Sequence, residues 1–117
     1  GISALQTGEF KEALGFLQDF STEDAMLTAR KFGCMGDAHA ELNDMVAAEE
    51  NYKKAVDADV ENIITAPFYL YKLAMAQVVN KKEDDAIKNL EALTENFPTS
   101  AEGTIAQIDL AELQAKK

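Results

Sequence analysis

Apolar and small residues recur along this chain at spacings of three and four, and nowhere alternate at two over a useful length. That period predicts helices and no sheet. Phe32, Met35, Gly36 and His39, for example, share one helical face. Seven helices are expected, over 1–6 (a stub), 9–19, 22–42, 45–58, 66–80, 83–96 and 101–115. Turn and cap chemistry sets the boundaries. The opening "GISALQTGEF" reads as the inside of a helix followed by a turn. Ser21 with Asp24 three residues on makes a capping box for 22–42, and Asn43 is a left-handed stop at its far end. Thr65, ahead of Ala66-Pro67, starts the next helix, since a first-turn proline lacks only an amide that would be unpaired anyway. "FPTSAEG" ends one helix at Pro98 and opens the last, with Thr99 and Glu102 as a second capping box.

Three of the turns are self-similar. "TGEFKEALGFL" (7–17), "LNDMVAAEENY" (42–52) and "NKKEDDAIKNL" (80–90) each place an alanine after a polar turn and a bulky residue four positions later. The pairs are Ala13 with Leu17, Ala48 with Tyr52, and Ala86 with Leu90, and the alanines are 35 and 38 residues apart. A period in this range means stacked helical hairpins.

The same positions resemble the tetratricopeptide repeat (TPR) family, whose pattern is W-x2-L-G-x2-Y, then A-x3-F, then P. Phe32-x2-Met35-Gly36-x2-His39, Ala48-x3-Tyr52 and Ala55 match it, with Val60 in place of the proline. In the next unit Leu70-x2-Leu73-Ala74, Ala86-x3-Leu90 and Pro98 match, with Gln77 for the tyrosine and Leu93 at an alanine position. Gly1, Gly8, Phe10, Ala13 and Leu17 fit a unit cut short at its start. The resemblance implies an all-α, helical-hairpin superhelix (an α-solenoid) forming one domain over 1–117. Within it fall a truncated repeat at 1–20, repeats at 22–60 and 66–98, and a capping helix at 101–115. It also implies a non-enzymatic scaffold that binds a partner protein or peptide. In the alternative, a structural subunit has its groove filled by its own terminal helix, through Ile105, Ile108 and Leu110, or by a second copy in a homo-oligomer.

Charge narrows the partners. With 21 acidic and 11 basic side chains the net charge is −10, and no Lys/Arg patch is available to neutralise phosphates. Nucleic acid and direct contact with an anionic membrane are therefore not expected. The stretch 63–79 is interrupted by Pro67 and Lys72 and cannot span a bilayer. A start without methionine predicts a fragment or processed product whose absent beginning carried a targeting or anchoring segment. The "FPTS" ending, the acidic hairpins and this start are similar to bacterial envelope-associated, membrane-anchored TPR proteins. That similarity implies the periplasmic side of a membrane; the alternative is the cytoplasm.

Candidate chemistry changes little. His39 is the one histidine and Cys34 the one cysteine. They lie five residues apart on one helix, about 140° around its axis, so their side chains diverge. Neither a zinc site nor a Cys–His pair follows, and both read as packing residues, with Cys34 partly packed. Asp57, Asp59 and Glu61 imitate the start of a calcium loop, but Asn62 and Phe68 stand where its glycine and bidentate acid belong. No phosphate loop, nucleophile elbow or paired carboxylates occur. No catalytic residue, metal or cofactor is expected.

By the resemblance, the first helix of each hairpin lines a concave groove. Its residues here would be Ile2, Leu5 and Gln6; then Arg30, Gly33, Asp37, Ala40 and Glu41; then Phe68, Tyr71, Met75, Val78 and Val79. The last set forms a second apolar stripe on a helix that already packs through Leu70, Leu73, Ala74 and Gln77, and a helix apolar on both faces is buried on both. Family members that grip chaperone tails use a clamp of lysine, arginine and asparagine. Only Lys72 could serve at the matching positions, which disfavours that ligand.

Overall fold

The computed structural model describes residues 4–19 and 23–115, and the side chains of these except residues 4–7 and Phe10. It contains α1 (Ala4–Asp19), α2 (Ala25–Glu41), α3 (Met45–Ala58), α4 (Thr65–Val79), α5 (Glu83–Asn96) and α6 (Ala101–Ala115), with no strand among the described residues. The predicted helices over 45–58, 83–96 and 101–115 are recovered with the same ends, and those over 22–42 and 66–80 with ends shifted by one to three residues.

The stub over 1–6 and its turn at Thr7–Gly8 are not: α1 runs unbroken from Ala4 to Asp19. Gly8 inside a helix costs about 1 kcal/mol relative to alanine. Stopping there would forfeit intrahelical hydrogen bonds and require a second, costly nucleation in six residues. Continuation wins. Gly1 and Ile2 lie outside the described residues, as do the side chains of Leu5, Gln6 and Phe10.

Local chemistry explains the other boundaries. Asp24 is itself the N-cap of α2, its carboxylate accepting from the Leu27 amide at 2.9 Å, so the helix starts at Ala25 rather than at 22. Ser21 is outside the described residues. Asn43 does stop α2 in the left-handed region, at φ 63°. The amides of Asn43 and Asp44 return to the carbonyls of Ala40 and His39, the paired bonds of a Schellman turn. The same turn closes α4 at Lys81, φ 61°, through Val78 and Gln77. α4 starts at Thr65 behind Ile64, which gives no side-chain cap; Asn62 Oδ1 accepts from the amides of Ile64 and Thr65, while Thr65 Oγ1 is buried without a partner. Ser100, not Thr99, caps α6: its hydroxyl accepts from the Gly103 amide at 2.9 Å.

Each helix packs on its successor, and α2–α4 and α4–α6 also touch, whereas α3 and α5 do not. The alternate helices α2, α4 and α6 therefore form the inner, crowded side of a curve, and α3 and α5 splay on the outer side. The main core joins Ala48, Tyr52, Leu70, Leu73, Leu90 and Leu93 with their neighbours. A separate small cluster of Leu14, Met35 and Ala38 holds α1 to α2. Gly36 and Ala48 sit at the α2–α3 crossing: Ala48 is fully buried, and a Cβ on Gly36 would lie 2.6 Å from the Tyr52 ring. Gln77 is buried at the family's tyrosine position and accepts a hydrogen bond from Asn89 at 2.7 Å.

Of the three residues that the alternative placed in the groove, Leu110 alone is half-buried, against the main core. Ile105 and Ile108 are exposed, at 44% and 60%, and α6 buries Gly103, Ala106 and Leu113 instead. Small residues at 103 and 106 let it settle beside α5 and α4, and a Cβ on Gly103 would run into the Phe97 carbonyl.

Candidate functional site

α4 is apolar on both sides, but only one of them is buried, contrary to the expectation that both would be. Leu70, Leu73, Ala74 and Gln77 are buried. Opposite them Phe68 and Val79 are exposed, at 43% and 59%, and Tyr71, Met75 and Val78 are half-buried. Three cavities open along this second stripe. One of about 370 Å³ lies between Arg30, Cys34, Phe68, Tyr69 and Glu102. A second, about 290 Å³, is lined by Met45, Tyr52, Tyr71, Lys72, Met75 and Val79. The third, about 180 Å³, lies among Met75, Val78, Asp109, Glu112 and Leu113.

The groove residues read from the sequence divide among these places. Arg30 and Phe68 line the first cavity, and Tyr71, Met75 and Val79 the second, while Val78 meets α6 at the third. Asp37 is engaged within the fold: its Oδ1 accepts from the Tyr52 hydroxyl at 2.6 Å and from Lys72 Nζ at 2.7 Å. Glu41 is exposed on α2, where its charge still reaches Tyr52. Gly33 is no part of an open groove, because the Tyr69 ring is seated against its Cα. Cys34 is exposed rather than partly packed, at the edge of the first cavity. His39 is half-buried on α2. No group of three His, Cys, Asp or Glu that could hold a metal occurs among the described residues.

Two tyrosines tie the layers together. Burial, then the bond to Asp37 and the nearby Glu41, pushes the Tyr52 hydroxyl far above its usual range. Tyr71 donates to Asp109 at 2.7 Å, joining α4 to α6, and burial with this carboxylate raises its pKa to about 12. Lys72, besides its bond to Asp37, lies 4.7 Å from the Phe68 ring centre, a cation–π distance. The one cation on this part of the stripe is thus already satisfied from two sides. On the outer side Asn80 donates to Met45 O and to Glu49, and Lys82 also reaches Glu49. Burial raises the Glu49 pKa, but these bonds outweigh it and leave the carboxyl below its usual range.

Sequence reasoning missed Glu102, Asp109 and Glu112, because 101–115 was read as a cap. The signal was present in the numbering. Phe68, Met75 and Val78 lie 34 residues before Glu102, Asp109 and Glu112, so α6 continues the groove in phase with α4.

A family model described as Tetratricopeptide repeat matches residues 69–100, which cover α4 from Tyr69, all of α5 and the turn into α6. No curated protein matches the chain. No helix among the described residues is long and apolar enough to cross a membrane. The matched repeat and the stack of paired helices, with no strand among the described residues, support a tetratricopeptide-repeat protein with an all-α helical-hairpin repeat fold.

Proposed function

We propose that this chain is a non-enzymatic interaction scaffold whose inner face, formed by α2, α4 and α6, binds a protein or peptide partner. The carrying observation is the second apolar stripe of α4. Phe68 and Val79 remain exposed, and Tyr71 and Met75 half-exposed, after both neighbouring inner helices have packed. An apolar row bordering three cavities is the surface that a partner's apolar side chains enter. The repeat match supports this reading, since such repeats generally mediate protein–protein contact.

Met75→Asp tests it. On an open face the new carboxylate keeps its water, so the thermal midpoint should stay nearly constant while capture of the partner is lost. A stable variant that still captures its partner moves the site away from this face. The same proposal includes a position on the periplasmic side of a bacterial membrane, supported by the resemblance of the acidic hairpins and the 97–100 ending to envelope-associated repeat proteins. Protease accessibility of the protein in cells with permeabilised outer membranes tests that part: a protected chain refutes it.

A further inference from the structure

We propose that the groove selects a segment with an apolar centre and basic flanks; the inference rests on the inner-face reading above and names its ligand. The groove has an apolar middle and acidic sides. Its middle is the α4 stripe, with Met75 shared by the second and third cavities. On the α2 side Asp37 accepts at 2.6 Å from the hydroxyl of Tyr52, which lines the second cavity, and Glu41 is exposed one turn further along α2. On the α6 side Asp109 and Glu112 line the third cavity directly. Against these four carboxylates the described residues place one ammonium, Lys72, which is held by Asp37 at 2.7 Å. Arg30 and Glu102 face the first cavity together and offset one another.

Charge complementarity therefore fixes the occupant. Apolar side chains of a partner would enter beside Met75 and Val79. Lysines or arginines on either side would lay their stems on the apolar floor and bring their cations to the rims. An acidic tail would meet like charge on both sides. A second copy of this chain, itself at −10, is opposed by the same field. From Phe68 to Val79 the stripe runs about 16 Å along the helix axis, at ~1.5 Å per residue. An extended peptide covers that length with about five residues.

The probe is a fluorescein-labelled Lys-Lys-Leu-Phe-Leu-Phe-Leu-Lys-Lys peptide, with a counterpart carrying glutamate for every lysine. Anisotropy at low and high salt and backbone-amide shift mapping are recorded on the full chain. The lysine peptide should bind at least about tenfold more tightly than its counterpart at low salt, with the gap narrowing as salt screens the rims. Its shifts should centre on α4 and α6, and Glu41→Lys with Glu112→Lys should weaken it by about tenfold. Equal or tighter binding of the glutamate peptide, mapped to the same amides, overturns the charge selection and leaves the inner-face reading standing. If groove amides move for neither peptide, or move on self-association of the protein alone, the inference is overturned. Binding mapped to α3 and α5 sinks the inner-face reading itself.

Discussion

At the residue scale the decisive quantity is the space available to single atoms. Gly36 lets the Tyr52 ring lie where a Cβ would stand 2.6 Å away. Gly36→Ala gains about 1 kcal/mol of helix propensity but overpacks a core crossing, at a cost of roughly 1–3 kcal/mol. Overpacking should win, lowering the urea midpoint; a raised midpoint would show that the ring moves aside freely. The opposite sign is expected at Thr65, whose buried hydroxyl has no partner. Thr65→Val replaces that hydroxyl with a methyl of the same shape and should stabilise by about 1 kcal/mol in the same assay. The smallness of Gly36 and Ala48 was legible in the sequence, because the repeat pattern names those positions. Gly33 was misread: its spacing places it on the inner face, but no spacing announces that Tyr69, from the next hairpin, comes to rest on it.

At the element scale, caps and ties decide where helices stop and how they hold one another. The sequence marked Asn43 because asparagine tolerates the left-handed region, yet Lys81 adopts the same conformation without that chemical preference. The pull comes from the carbonyls of Gln77 and Val78, which need amide partners once α4 ends. The α1 break was misjudged for the converse reason, a glycine being necessary for few turns and sufficient for none. The tie between Tyr71 and Asp109 makes a pH prediction. Tyr71 has a folded pKa of about 12 against an ordinary 10.0, so the folded state keeps its proton where the unfolded chain has lost it. Its contribution is complete below pH 10 and disappears as pH rises towards 12. Stability measured by urea titration should fall across that window, and Tyr71→Phe should flatten part of the fall. An unchanged slope in that variant would show that Tyr71 carries none of it.

At the scale of the whole molecule, cohesion is uneven. The α1–α2 contact rests on a small cluster around Leu14, Met35 and Ala38, apart from the continuous core that joins α2 to α6. Native-state hydrogen exchange should find the α1 amides least protected, opening well below the global unfolding free energy. Equal protection in α1 and α4 would mean that the two clusters unfold as one. This division was invisible in the sequence, where Ala13 and Leu17 repeat the pattern of Ala48 and Tyr52. Burial differs all the same: the first pair is half-buried and the second buried. Mechanically, the inner contacts are the joints of a curved spring. Asp37 clasps α3 and α4 to α2 through one carboxylate oxygen, and Tyr71 clasps α4 to α6. Because both joints are braced in the free chain, a partner of the proposed kind would meet a curvature already set, and little of its binding free energy would be diverted into bending the array.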